Sequence, residues 1–160
     1  MGDKMNKKLK DVYFFSIIFL VIDQAIKFYL SGKMVLNQST IIVKDFLNIT
    51  YVHNTGAAFS LFEGNTWLLI GIGVIAFIGL SIYISKLVEI SDFDMFNFSL
   101  LLGGLLCNLV DRIIHGYVID YISLNIFGYN APIFNFADIC IVVSIIFMLI
   151  SMIKGDLWKE

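Results

Sequence analysis

The sequence predicts an all-α membrane protein of four transmembrane helices, with a small outward-facing β-sheet between the first and second helices. Three observations carry this reading. Hydrophobic residues fill 59% of the 160 positions and charged residues only 15%, whereas soluble domains run near 25% charged. Mean hydropathy is +0.86. The apolar residues gather into four runs, each close to the ~20 residues a helix needs to cross a hydrocarbon core ~30 Å thick. Such a chain is neither a water-exposed globule nor disordered, and its net charge of −2 gives no reason to expect a nucleic-acid partner.

The first run, about 12–30, is interrupted only by Asp23 and Lys27. Lysines precede it, as in a signal peptide, but no small-x-small cleavage pattern follows and the two charges break the apolar stretch, so it reads as a retained span. The segment 35–62 is an outer β region. From Phe46 to His53 it alternates, with Leu47, Ile49 and Tyr51 on one side and Asn48, Thr50 and Val52 on the other, and 40–43 can pair with it. The second run, 66–85, has no charge at all. The third, about 95–114, is uncharged up to Asp111. The fourth, about 132–153, holds one acid, Asp138. The whole of 1–160 reads as one integral membrane domain. Lys4, Lys7, Lys8, Lys10, Lys86, Lys154 and Lys159 fall on one side, against Lys33, Lys44 and Arg112 on the other. The positive-inside bias then puts both termini in the cytoplasm, with 31–65 and 111–131 facing outward.

A carboxylate at membrane depth costs about 2.5–3.5 kcal/mol on insertion scales, so each needs a reason. Asp23, Lys27, Asp111, Arg112 and Asp138 all sit in the outer halves or ends of the runs, and Asp120 follows the third. Six ionisable groups therefore converge on one depth. Asp23 and Lys27 share a helical face, as do Asn108, Asp111 and Arg112; Asn135 and Asp138 open the fourth helix. Faces this polar must look into the bundle or a wet cavity. Asp23, Lys27, Asp111 and Arg112 fit either buried ion pairs or direct chemistry.

Asp120 and Asp138 differ, because neither has a basic neighbour within four residues and an outer hairpin can bring them face to face. Two close carboxylates tend to share one proton. One can then deprotonate water while the other polarises a carbonyl, which suits peptide hydrolysis without a metal or serine. Structural acids or a cation site would use the same spacing. Other chemistry fares worse: His53 and His115 are not spaced as ligands with Cys107 and Cys140, so no zinc is expected. The two cysteines lie in apolar runs and read as small packing residues.

Taken together, the blocks resemble the lipoprotein signal peptidases (signal peptidase II). They are Asp23-Gln24-Ala25-Ile26-Lys27, Asn54-Thr55-Gly56-Ala57-Ala58-Phe59-Ser60, Asn108-Leu109-Val110-Asp111-Arg112, Gly116-Tyr117-Val118-Ile119-Asp120-Tyr121 and Phe134-Asn135-Phe136-Ala137-Asp138. They follow the family's order at similar intervals over nearly the whole chain. The resemblance implies a membrane-embedded aspartyl endopeptidase of the bacterial cytoplasmic membrane, with its active site near the outer face. Such an enzyme removes the signal peptide from diacylglyceryl-modified prolipoproteins by cutting before the lipidated cysteine. By that analogy Asp120 and Asp138 are the catalytic dyad, Asn54, Asn108 and Arg112 bind the substrate backbone, and Asn135 supports the dyad. Asp23, Lys27 and Asp111 would brace the site. The residues around Ser123 to Asn130 resemble the family's mobile cover, with Gly128 as a flexible point. No cofactor or metal is implied, and the expected partners are prolipoproteins and membrane lipids, with the protein a monomer. Two positions depart from the family pattern: Cys107 and Ser144 stand where glycine is usual. The rival readings are a proton-coupled transporter and a non-catalytic assembly factor; the uncharged second run argues against a proton relay through the bilayer.

Overall fold

The computed structural model describes residues 2–57, 61–87 and 90–154. The end of one motif block, Ala58-Phe59-Ser60, and Lys159 of the basic set lie outside the described residues. Four helices, α1 (Gly2–Ser31), α2 (Thr66–Lys86), α3 (Asp92–His115) and α4 (Phe136–Lys154), are joined by β1 (Ser39–Val43), β2 (Leu47–Asn54), β3 (Val118–Ile126) and β4 (Tyr129–Asn130). All four helices are long and apolar enough to cross a membrane.

The apolar runs form helices because no other backbone arrangement of one segment satisfies its own N–H and C=O groups in lipid. α1, α2 and α4 are largely exposed along their apolar windows, while half of that of α3 is buried. α3 is thus the central helix, packed on the other three. Its ends are well specified. Ser91 caps the start by accepting from the Asp94 N–H at 3.0 Å, and Gly116, with φ 81°, closes the end in the left-handed conformation that favours glycine. Adjacent glycines set its neighbours at close range. A Cβ on Gly103 would lie 3.2 Å from the Ser16 carbonyl of α1, and one on Gly104 would lie 2.6 Å from the Ala137 carbonyl of α4. α3 therefore touches α1 with one glycine and α4 with the next.

The two positions that depart from the family's glycines are absorbed without a gap. Cys107 and Ser144 are both fully buried, and the Ser144 hydroxyl donates to the Asn97 carbonyl of α3 at 3.1 Å. Cys107 and Cys140 are free thiols in the packing, as their apolar context predicts.

The sheet has the order β1-β2-β3-β4, antiparallel throughout. The expected pair β1 and β2 is present, and the sheet is larger than the sequence suggested, because the chain between α3 and α4 adds two strands. The register slips by one residue between Ile49 and Val52, so that Ile49 faces Ile122 while Val52 faces Asp120. The strict period of two expected from Phe46 to His53 is broken there by a bulge. The segment likened to a mobile cover is a hydrogen-bonded hairpin: Ile126 pairs with Tyr129 across a turn in which Phe127 (φ 51°) and Gly128 (φ 87°) are both left-handed. Gly128 there serves a tight turn.

Past the slip, the sheet has two distinct faces. Val52, Asn54, Val118 and Asp120 line a cavity. Tyr51, Ile119 and Tyr121 are buried on the other side against Ile26 and Leu30 of α1. At the opposite end of α1, the Lys8 ammonium pairs with Asp92 at 3.0 Å and donates to the Ile90 carbonyl, tying that end to the α2–α3 connection.

Candidate active site

Three elements converge on the two acids singled out in the sequence. Asp120 comes from the start of β3, Asp138 from the first turn of α4, and Asn108 from the last two turns of α3. The key residue is Asn135. It caps α4: its side-chain oxygen accepts the Asp138 N–H at 3.0 Å, while the Asp138 Oδ2 accepts the Asn135 N–H at 3.1 Å. This is a reciprocal capping box with an aspartate in the returning position. The Asn135 Nδ2 points the other way and reaches the Asp120 Oδ1 at 2.7 Å. One asparagine therefore holds both acids.

Each carboxylate takes its second hydrogen bond from another amide. Asp120 Oδ2 accepts from Asn54 Nδ2 at 2.8 Å, and Asp138 Oδ1 accepts from Asn108 Nδ2 at 2.8 Å. Asn135 Nδ2 also approaches the Asn108 Oδ1 at 3.1 Å, closing the ring of amides. Asn54 is itself fixed, because its Oδ1 accepts the Gly56 N–H at 2.9 Å. No lysine or arginine pairs directly with either acid among the described residues. Burial and the neighbouring Asp138 charge push the Asp120 carboxyl up to about 7, against the lowering effect of the Asn54 and Asn135 hydrogen bonds.

Arg112 stands over this ring. Its guanidinium donates to the Gly56 carbonyl at 2.8 Å and to its own helix at Asn108, at 3.2 Å. Its Nε is buried without a partner. Asn54, Asn108, Arg112, Asp120 and Asp138 line a cavity of about 650 Å³ together with apolar residues that include Pro132, Ile133, Phe134, Ile141 and Val142. Val142 is more than half exposed on the outer surface of α4. The cavity wall thus combines two acids with apolar side chains, one of which, Val142, is exposed.

The remaining sequence candidates lie elsewhere. Asp23, Lys27 and Asp111 are fully buried and do not line the cavity. Lys27 Nζ lies 2.6 Å from Asp23 and 2.8 Å from Asp111. Gln24 Nε2 donates to the free oxygen of Asp111 at 2.7 Å. The single convergence expected of six ionisable groups resolves into two: an ion cluster behind the sheet, and a dyad with an arginine facing the cavity. They touch through the backbone, since Asp111 Oδ2 accepts the Ile119 N–H at 3.1 Å, one residue before Asp120. Sequence reasoning did not assign roles to Gln24, to the Gly56 carbonyl or to Tyr121. Gln24 lies within a quoted block and could have been found by its helical face; Tyr121 offered no signal of its own.

A family model described as "Signal peptidase (SPase) II" matches residues 15–154. The chain belongs to the signal peptidase II family. Among relatives of this peptidase, one described as a lipoprotein signal peptidase in Lactiplantibacillus plantarum is 38% identical over 90% of this chain and 95% of its own. Another of the same description in Staphylococcus epidermidis is 39% identical, over 87% and 86% respectively. A solved bacterial membrane enzyme superposes with a TM-score of 0.84 at 32% identity, covering 93% of this chain and 91% of that one. A second reaches 0.81 at 33% identity, covering 89% and 92%. With four helices fit to cross a bilayer, this signal peptidase II is a multi-pass bacterial membrane protein. A transporter or assembly factor is not favoured.

Proposed function

We propose that this signal peptidase II is an aspartyl endopeptidase, one integral membrane domain over 1–160. It removes signal peptides from prolipoproteins that carry diacylglycerol, cutting before the lipidated cysteine. The observation that carries the reading is the pair Asp120 and Asp138, hung from one asparagine in the wall of a cavity that apolar residues also line. In this reading the apolar lining takes the acyl chains, and the scissile amide reaches the acids.

In this mechanism the dyad holds one proton. Asp120, whose carboxyl is pushed up to about 7, supplies it to the scissile carbonyl oxygen. Asp138 takes a proton from water, and the resulting hydroxide attacks the carbonyl carbon. The tetrahedral gem-diol collapses as one of its hydroxyls returns a proton to Asp120, the C–N bond breaks and the nitrogen takes the proton from Asp138. Asn54 and Asn108, expected to bind the substrate backbone, donate to the acids here; in this role they orient the dyad. The unpartnered Nε of Arg112 is the donor left for a substrate carbonyl. Asp23, Lys27 and Asp111 brace the strand that presents Asp120.

Lys8 near one end and Lys33 and Lys44 near the sheet, together with the denser lysines at the first end, support cytoplasmic termini and an outward-facing dyad. One chain supplies every residue of the site, so a monomer suffices. The test is turnover of a diacylglyceryl-modified precursor by purified Asp120→Asn and Asp138→Asn. Both variants should be inactive while keeping the wild-type melting temperature at neutral pH to within a few degrees; wild-type turnover by either overturns the assignment.

A further inference from the structure

We infer that Tyr121 is a positioning residue that fixes the two aspartates relative to one another, a role that rests on the peptidase reading above. Tyr121 follows Asp120 on β3, so its side chain leaves the opposite face of the strand. It is absent from the cavity wall and is 4% exposed, packed with Tyr51 and Ile119. From there its hydroxyl oxygen accepts the Phe136 N–H at 3.1 Å. Phe136 is the first residue of α4, and its N–H is one of the four that no helical carbonyl can satisfy. The neighbouring N–H groups of this turn are held within the site: Asn135 by Asp138 and Asp138 by Asn135.

The consequence is mechanical. The backbone beside Asp120 and the turn bearing Asp138 are bridged by one rigid ring, with its oxygen as the contact. The backbone of Tyr121 adds a second tie, its N–H donating to the Phe134 carbonyl at 3.0 Å. A phenylalanine here would keep the packing and the backbone tie but leave a buried N–H without an acceptor. The α4 start would then turn to find another, carrying Asp138 with it. Burial pushes the Tyr121 hydroxyl up, so it stays protonated and neutral while the acids titrate.

The experiment compares Tyr121→Phe with wild type in lipid nanodiscs on a diacylglyceryl-cysteine precursor peptide. A lost hydrogen bond of this kind corresponds to about a fivefold to tenfold fall in kcat. KM should stay within about twofold, because the ring does not touch substrate. The pH midpoint of Asp120, read by NMR of its labelled carboxyl carbon, should move, because its distance from Asp138 changes. The other groups facing Asp120 are Asn54, Asn135, Arg112 and the more distant Lys27, and this variant leaves all four chemically intact. Amide exchange at Phe136 should be slow in wild type and faster in the variant. An unchanged kcat and midpoint would overturn the inference, as would parallel losses of kcat, KM and melting temperature, which mark general loosening. Fast Phe136 exchange in wild type would overturn it even if the variant does not fold. Should wild type fail to cleave the precursor, the peptidase reading falls on its own, while the Asp120 midpoint and Phe136 exchange still decide the role of Tyr121.

Discussion

Two pairs of aspartates sit side by side in this molecule and have opposite surroundings. Asp23 and Asp111 share a lysine at 2.6 and 2.8 Å, are fully buried and do not line the cavity of the other pair. Asp120 and Asp138 share an asparagine and face open space. A lysine between two acids offsets negative charge and ties both side chains in place. An amide ring supplies donors without charge, so the second pair must manage its own repulsion by keeping a proton. In the proposed mechanism the first pair stays as it is, and the second changes protonation during turnover.

The largest expected effect breaks the second pair. Asp120→Asn or Asp138→Asn removes an acid–base partner and should lower kcat by about 10²–10⁴-fold or more, with the fold retained. The matching change in the first pair should do the reverse. Lys27→Met leaves two carboxylates buried without their cation, and removing one partner of a buried pair costs about 3–5 kcal/mol. Thermal unfolding in detergent should show a large loss of stability, and any loss of activity should track the unfolded fraction. A stable, inactive Lys27→Met protein would erase the distinction.

The pH dependence sharpens the same contrast. Asp120 holds its proton up to about pH 7 in the folded protein, against an ordinary value of 3.8. Between these values the native state binds more protons than the unfolded state, so the Asp120 contribution to stability is fully present below about pH 4 and is lost as pH rises through about 7. Activity that needs the protonated Asp120 should decline over the alkaline side of the same midpoint. Asp120→Asn should flatten the dependence of melting temperature on pH across this window; an unchanged slope would place the proton elsewhere.

Much of this was legible in the sequence because lipid makes polar residues conspicuous. Asp23, Asp111 and Asp138 stood out by their cost at membrane depth, Asp120 by its lack of a basic neighbour, and the order of motif blocks pointed to the family. What escaped was how the groups divide. Helical spacing puts Asn108, Asp111 and Arg112 on one face, yet Asp111 points to the ion cluster and the other two border the cavity. That split depends on where β3 enters, and the sequence predicts an outer hairpin after Asp120 without the pairing of that strand to β2. The bulge between Ile49 and Val52 is equally silent, since one extra residue in a strand leaves no mark on composition. Tyr121 went unassigned for a similar reason: a tyrosine next to an aspartate acquires its role only when a helix start is packed beneath it.

The smallest effect tests a region away from both pairs. Ser144 is fully buried in α4, and its hydroxyl donates to the Asn97 carbonyl of α3. Interhelical hydrogen bonds of this type average about 0.6 kcal/mol, because an unfolded helix in lipid also finds partners. Ser144→Ala should therefore lower the melting temperature by only a degree or two. Asp138 lies two turns nearer the start of α4, held by Asn108 and Asn135, neither of which touches Ser144. Activity and its pH midpoint should accordingly stay at wild-type values. A change in kcat without a change in melting temperature would mean that α4 transmits packing differences along its length to the dyad, and the two aspartate pairs would then be coupled through the helix bundle as well as through Ile119.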